Sequence, residues 1–249
     1  MIKKALQSLF NFFGVSITRL PRKKIPDLYY RNPEMIGGFS RFINLGLPIK
    51  TIIDVGAADG SWSRTAREFW PSASILMVEP LEERQSILQA IIEQNSGFDY
   101  LCAAAGNQQS SVNYLVSDDL DGSLVAESLH QNEPTRMVQQ VKLDDVVQEK
   151  KLAGPYLLKL DTHGYELPIL EGAADLLKNA NLVIIECYGF HITKTSPLFW
   201  ELCAVMNRYG FRVFDVIEIV RRPGDDAFWQ CDIFFIPGSS NIYLNNQYC

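Results

Sequence analysis

Residues 51–60 read Thr-Ile-Ile-Asp-Val-Gly-Ala-Ala-Asp-Gly, and a second apolar run over 74–78, Ser-Ile-Leu-Met-Val, leads into Glu79. A β-branched run that closes on an acid, then a glycine turn, then more polar residues from Ser61 onward predicts strand, turn and helix. The second run predicts another strand with an acid at its end. This layout builds a nucleotide-type pocket at the carboxyl edge of a parallel sheet. Gly56 can take backbone angles closed to other residues, and its missing side chain lets a ligand approach the main chain. Gly60 and Ser61 then open the helix with its first amides turned toward the pocket.

Working outward, strand and helix alternate. Strands are predicted at 50–55, 74–79 and 98–104, with helices at 61–69 and about 81–94 between them. Residues 105–140 carry Ser, Asn, Asp and Gly turn signals and predict a loop-rich insert with a short strand at 111–116. The stretch Lys-Leu-Asp-Asp-Val-Val-Gln-Glu-Lys at 142–150 predicts a short strand and a helical turn. A strand follows at 156–161, then a helix over 165–178 whose apolar face carries Leu167, Leu170, Ala174 and Leu177. Pro168 is tolerable in its first turn. Another strand at 182–187 precedes a helix at 197–209 that stops at Gly210. The last third, 211–220 and 230–237, reads as two strands of a hairpin. Alternating βα units predict a doubly wound α/β fold: a mostly parallel sheet with helices on both faces and a C-terminal antiparallel hairpin.

The chain has 249 residues, 47% of them hydrophobic and 21% charged, ordinary proportions for a globular domain with a real core. Its formal charge of −6 argues against a nucleic-acid binder, which usually carries a basic footprint. The five cysteines, Cys102, Cys187, Cys203, Cys231 and Cys249, form no CxxC pair and are odd in number. They read as buried thiols in a reducing, cytoplasmic setting. No apolar run reaches the length of about 18–20 residues that a membrane span needs. Lys3 and Lys4 are followed by no clean apolar stretch or small-residue cleavage site, so no signal peptide is expected.

Residues 1–45 read as a unit apart from a main domain over 46–249. Within 2–17, Ile2, Leu6, Leu9, Phe10, Phe13 and Ile17 share one helical face, and Arg19, Arg22, Lys23 and Lys24 follow. Such a basic amphipathic segment packs on its own domain or a partner subunit, or lies on an anionic membrane surface through residues 1–24 at the inner membrane face. Both readings stay open. Residues 25–45, rich in Pro, Gly and aromatics, predict an irregular lead-in.

Three cofactor chemistries compete for the pocket. A phosphate loop needs GxxxxGK[ST], which is absent. A dinucleotide fingerprint needs GxGxxG, but counting from Gly56 its other two glycine positions hold Ala58 and Ser61. A nicotinamide-dependent oxidoreductase is therefore the weaker alternative. S-adenosylmethionine carries an α-ammonium and a sulfonium, which suits the acids here. Asp54 closes the first strand, and Glu79 can accept both ribose hydroxyl protons. Asp59 reads either as a ligand contact or as a helix N-cap.

Three blocks then resemble one family. The turn Ile-Ile-Asp-Val-Gly-Ala-Ala-Asp-Gly at 52–60, the Val-Glu-Pro at 78–80, and residues 157–177 with the strand and Tyr188 after them look like an FkbM-type methyltransferase. The third block is the distinctive one: the family reads roughly K-I-D-x-E-G-[YF]-E-x-x-x-L-x-G-A there. The resemblance covers about residues 50–236. It implies a Rossmann-like, seven-stranded class I methyltransferase fold, an S-adenosylmethionine cofactor and O-methylation of a hydroxyl on a sugar, glycan or small metabolite. A non-catalytic member that binds cofactor or partner is the alternative. The cofactor-binding set expected is Asp54, Gly56, Ala57, Asp59, Gly60, Glu79, Pro80 and Ala104. His163 stands where the family usually has Glu or Gln before the glycine.

The chemistry is expected where the strand at 156–161 ends, in Asp161-Thr162-His163-Gly164-Tyr165-Glu166. A hydroxyl is a poor nucleophile until its proton is removed or shared, and a positioned base adds roughly 10²–10⁴-fold. Histidine is the side chain whose reference pKa lies closest to neutrality, so His163 suits that task, and Asp161 either orients it or contacts the acceptor. Both are the expected catalytic residues. Glu166 reads equally as a first-turn acid. Glu186 and His191, near the end of the next strand, either face the acceptor or do not. Asp161, His163, Glu186 and His191 are donor types for a divalent metal, but their spacing matches no ligand signature, so no metal is expected. Phe228 and Trp229 read as acceptor-site walls or as core.

Overall fold

The computed structural model describes residues 34–126 and 134–248. The predicted helix over 2–17 and the basic residues up to Lys24 lie outside the described residues. Helix α1 (Met35–Ile43) replaces the irregular lead-in expected there. Its glycines, which read as a helix breaker, serve close packing instead. A Cβ on Gly38 would sit 2.7 Å from Phe234 Cζ. Phe39 and Phe42 are fully buried, and Phe39 packs edge-on against Trp62, Phe69 and Trp70. Each such ring contributes roughly 1.5–3 kcal/mol by its burial.

The first half runs β1 (Thr51–Val55), α2 (Ser61–Phe69), β2 (Ser74–Val78), a 3₁₀ turn at Glu82–Arg84, α3 (Gln85–Gln94) and β3 (Phe98–Leu101). An insert of four short strands follows: β4 (Ala104–Ala105), β5 (Ser110–Leu115), β6 (Leu124–Val125) and β7 (Thr135–Val141). The second half is α4 (Leu143–Glu149), β8 (Tyr156–Leu160), α5 (Glu166–Glu171), α6 (Ala174–Leu177), β9 (Ala180–Tyr188), α7 (Phe199–Arg208), β10 (Phe211–Arg221) and β11 (Phe228–Pro237).

The main sheet has seven strands in the order β10-β11-β9-β8-β1-β2-β3. Strands β3, β2, β1, β8 and β9 are parallel neighbours, and β11 is antiparallel to both β9 and β10. The doubly wound sheet with its antiparallel hairpin is therefore present as the sequence pattern predicts. Every residue of β1 and of β8 is buried, as a strand covered on both faces must be. Leu143, Leu170, Leu176 and Leu202 pack on one face of the sheet, and Phe39, Phe42, Ala66 and Leu88 on the other. Chain order reverses between β1 and β8, which opens a crevice at their carboxyl ends.

Two predicted elements differ. The insert contains the strand expected at 111–116, as β5, but is more than loop around it: four strands form a second sheet, β4-β7-β5-β6, with a small core of Ala104, Val125 and Val138. The helix expected over 165–178 is broken into α5 and α6. At the break, a Cβ on Gly172 would lie 1.9 Å from the Gly106 carbonyl oxygen, so the insert's backbone presses on the helix there.

Candidate active site

The β1–α2 turn is wound by three consecutive departures from ordinary backbone: Gly56, Ala58 and Gly60 all have positive φ, at 78°, 47° and 74°. Glycine is obligatory at 56, because a Cβ there would lie 2.0 Å from the Asp161 carbonyl oxygen. The turn thus brings the end of β1 into contact with the end of β8. Glu79, just past β2, braces it from the other side. Its Oε2 accepts from the Ala58 N–H at 3.0 Å and its Oε1 from the Leu81 N–H at 3.0 Å. Burial pushes the Glu79 carboxyl above its ordinary pKa, against the pull of those two amides. Asp59 caps α2 by accepting from the Ser61 N–H at 2.9 Å, and hydrogen bonds with Ser61 hold its carboxyl below the ordinary range.

Asp54 stands behind this turn. It is fully buried, its Oδ2 accepts from Ser63 Oγ at 2.7 Å, and its Oδ1 has no hydrogen-bond partner among the described residues. Burial raises its carboxyl to a pKa of about 6, although Lys159 pulls the other way. Lys159 is the register neighbour of Asp54 across β1 and β8, and it too is buried. Its Nζ donates to Asp161 Oδ2 at 2.8 Å and lies 5.4 Å from the Trp62 ring centre. Burial alone would lower the Lys159 pKa, but Asp161, Asp54 and Asp232 together raise it. The Asp161 carboxyl is in turn held low: burial would raise it, and the Lys159 ammonium overrides that.

Across the crevice, His163 has φ of 52°. Its Nε2 lies 3.6 Å from Asp161 Oδ1 and 3.7 Å from Glu186 Oε2. Its Nδ1 lies 3.3 Å from the carbonyl oxygen of Ser123, in the insert. Glu186 projects from β9, and its two oxygens accept from the Tyr188 hydroxyl and the Gln230 amide. Burial, reinforced by the nearby Asp161 charge, pushes the Glu186 carboxyl up to about 8. Burial and Glu186 raise the Tyr188 hydroxyl as well.

These groups surround one cavity of about 390 Å³. Of the residues expected to bind cofactor, Gly56, Asp59 and Glu79 line it, as do both expected catalytic residues, Asp161 and His163. Pro80 and Ala104 line a smaller recess beside it, walled also by Gly56, Tyr114 and Val125. Ala57 and Gly60 line neither. Ala57 is buried with its N–H directed at the Val78 carbonyl, and Gly60 faces Ile91 and Leu88 of α3. Glu166 is buried and caps the β8–α5 turn, accepting from the Gly164 N–H at 2.9 Å. His191 is exposed and bonded to the Ser196 carbonyl at 2.7 Å, away from the cluster. Phe228 packs edge-on against Phe199, and Trp229 against Tyr188 and Phe190.

The sequence reading missed a wall of the cavity. Tyr114, Leu120, Asp121 and Ser123 come from the insert, and Arg84 from the turn before α3. Arg84 pairs with Asp121, which ties the insert to the first half of the sheet. The Arg84 Nε is buried without a partner among the described residues. Glu186, which the linear sequence leaves open, stands opposite Asp161 because β8 and β9 are adjacent parallel strands.

A model of the methyltransferase FkbM domain matches residues 54–213. No curated protein matches the chain. Among solved structures, it is similar to the magnesium protoporphyrin IX methyltransferase of Synechocystis PCC 6803 with bound SAM. That likeness covers 94% of this chain and 96% of that one, at 11% identity and a TM-score of 0.44. It is also similar to the N-methyltransferase NodS of Bradyrhizobium japonicum WM9, over 84% of this chain and 99% of that one, at 7% identity and a TM-score of 0.44. The family match rests on sequence and spans both the β1 turn and the block that carries His163.

Proposed function

The chain belongs to the FkbM methyltransferase family and is an S-adenosylmethionine-dependent methyltransferase, and from that premise we propose that it methylates a hydroxyl of a sugar, glycan or small metabolite. The observation that carries the reading is the convergence of Asp161 and His163 on the rim of the cavity that Gly56, Asp59 and Glu79 line. A cavity holding the Glu79 carboxylate and an orphan guanidinium donor of Arg84 fits a ligand bearing both hydroxyls and a carboxylate. Gly56, Asp59 and Glu79 hold it, with Pro80 and Ala104 in the adjoining recess. Asp54, Ala57 and Gly60 belong to the binding unit by shaping the turn from behind.

When bound, S-adenosylmethionine supplies a methyl on a sulfonium; carbon–oxygen bond formation accompanies carbon–sulfur cleavage, and sulfur keeps the electron pair. The protein's share is alignment, worth several kcal/mol, and help with the departing hydroxyl proton. Asp161 and His163 meet the acceptor hydroxyl and assist that loss. Lys159 keeps Asp161 ionised for it.

The test is methyl-labelled S-adenosylmethionine with fractionated cell extract. Label should enter a glycan or small-molecule fraction. Glu79→Ala should abolish labelling, whereas His163→Ala should slow it with cofactor affinity nearly unchanged. Label in nucleic acid, or normal turnover by His163→Ala, would overturn the assignment. Tight cofactor binding with no acceptor in any fraction would favour a non-catalytic family member.

Among the described residues no helix is long and apolar enough to cross a membrane. We place the protein in the cytoplasm, in peripheral contact with the inner membrane face through residues 1–24, on the strength of their basic amphipathic sequence. Deleting those residues should abolish binding to anionic liposomes without unfolding the domain; unchanged binding would sink the idea.

A further inference from the structure

Three lone-pair atoms converge at the acceptor end of the cavity. Asp161, His163 and Glu186 each offer a donor atom within 4.8 Å of the other two, and His163 Nε2 lies 3.6 Å from Asp161 Oδ1 and 3.7 Å from Glu186 Oε2. Each belongs to a side chain whose other polar atom is engaged from outside the trio, and Glu186 Oε2, which accepts from the Tyr188 hydroxyl, has a second lone pair for the trio. Lys159 Nζ holds Asp161 Oδ2 at 2.8 Å, Gln230 Nε2 holds Glu186 Oε1, and the Ser123 carbonyl lies 3.3 Å from His163 Nδ1. A carbonyl can only accept, so that contact puts a hydrogen on Nδ1. In the neutral ring Nε2 is then left with a lone pair, aimed at two carboxylate oxygens. Outer partners of this kind orient metal ligands and fix the tautomer of a ligating histidine.

We propose that Asp161, His163 and Glu186 bind a divalent first-row cation, Mn²⁺ or an ion of like chemistry, which holds the acceptor hydroxyl. This deepens the O-methyltransferase reading and rests on it for the identity of the acceptor. First-row ions sit about 2.0–2.2 Å from nitrogen and oxygen ligands, which leaves ligand atoms roughly 3.0–3.6 Å apart. The observed 3.6 and 3.7 Å spans close onto such an ion with small side-chain adjustments. One imidazole with two carboxylates suits Mn²⁺, Fe²⁺ or Zn²⁺ better than Ca²⁺, which takes oxygen ligands alone. With three protein ligands the remaining positions face the cavity. They suit an acceptor that chelates through two adjacent oxygens, such as a vicinal diol or a 2-hydroxy acid. An ion held there would supply Lewis-acid polarisation of the acceptor hydroxyl and ease loss of its proton to cavity water, so that Asp161 and His163 would assist that loss by holding the ion.

Chain order explains why the linear spacing conceals this set. Asp161 and His163 flank one strand end, whereas Glu186 lies on the neighbouring strand, and His191, next along the sequence, takes no part.

The test is a Mn²⁺ titration of the chelator-treated full chain, read by electron paramagnetic resonance, with and without S-adenosylmethionine. One ion should bind. Glu186→Gln and His163→Asn should each weaken it at least about tenfold. Asn tolerates the left-handed backbone at 163, so that variant separates ligand loss from strain. Cofactor affinity of both variants, measured by calorimetry, should stay within about threefold of wild type. Wild-type protein that binds S-adenosylmethionine but no Mn²⁺ would overturn the proposal and leave the methyltransferase reading standing. So would variants that bind Mn²⁺ as tightly as wild type. Protein that binds Mn²⁺ at this site but no S-adenosylmethionine would break the methyltransferase reading and leave the metal site intact.

Discussion

The carboxyl ends of β1 and β2, and those of β8 and β9, face one cavity but are built by different means. On the β1–β2 side, the acids are satisfied by nearby backbone. Glu79 takes the amides of Ala58 and Leu81, and Asp59 takes that of Ser61. On the β8–β9 side, Asp161, His163 and Glu186 are held mainly by side chains: Lys159 and Tyr188, each two residues along the same strand, and Gln230 of β11, with the Ser123 carbonyl of the insert. Backbone amides fixed by a turn give a rigid, preorganised pocket, and that suits a cofactor shared by many reactions. A network assembled from β8, β9, β11 and the insert can change partner by partner, and that suits the side that meets a particular acceptor. The two sides touch at Gly56 and Asp161, and through the buried pair Asp54 and Lys159.

Breaking the shared floor should cost most. Lys159→Met leaves Asp161, Asp54 and Asp232 without their buried cation, and about 3–5 kcal/mol of stability should be lost in denaturant unfolding. A loss below 1 kcal/mol would show that Lys159 does not join the two sides. Gly56→Ala forces a Cβ against the Asp161 carbonyl and a left-handed backbone. It should cost about 2–4 kcal/mol and remove detectable cofactor binding in calorimetry.

Asp54 sharpens the comparison through pH. Its carboxyl keeps a proton in the fold up to about pH 6, whereas in the unfolded chain it releases it near 3.8. Between those values the fold binds more protons than the unfolded chain, so stability falls as pH rises through the window. The loss is at most about 3 kcal/mol and is complete above pH 6. Asp54→Asn should flatten that fall relative to wild type in melts from pH 4 to 7. An unchanged slope would place Asp54 in a solvated setting.

The smallest effect belongs to the Arg84–Asp121 pair, which ties the insert to the β1–β2 side with its aspartate largely exposed. Asp121→Asn should cost less than about 1 kcal/mol. A larger loss would mean that the insert is a structural part of the cofactor side rather than a wall laid against it.

This difference also decides what could be read from sequence. The β1 turn is local: Asp54, Gly56 and the helix start at Ser61 lie within ten residues, so composition and spacing carry it, and Glu79 is legible as the acid that closes the next apolar run. Asp161 and His163 were reached because they sit at a strand end within a distinctive block. Their partners Glu186, Gln230 and Ser123 lie 23 or more positions from His163, and only strand order brings them there. Of the insert, β5 answers to the short strand expected at 111–116, and the rest was hidden because β4 and β6 are two residues long. Helix α1 was hidden by Gly37 and Gly38; the packing of Gly38 against Phe234 depends on a strand almost 200 residues away. The break between α5 and α6 depends likewise on the insert's Gly106.

The central claim is a division of labour, with cofactor binding on the β1–β2 side and acceptor chemistry on the β8–β9 side. Isothermal titration of S-adenosylmethionine into wild type, Glu79→Ala and His163→Ala tests it most directly. The account predicts saturable binding by wild type, loss of binding in Glu79→Ala, and affinity within about threefold of wild type in His163→Ala. A His163→Ala protein that loses the cofactor as completely as Glu79→Ala, or a Glu79→Ala protein that binds it normally, would contradict it.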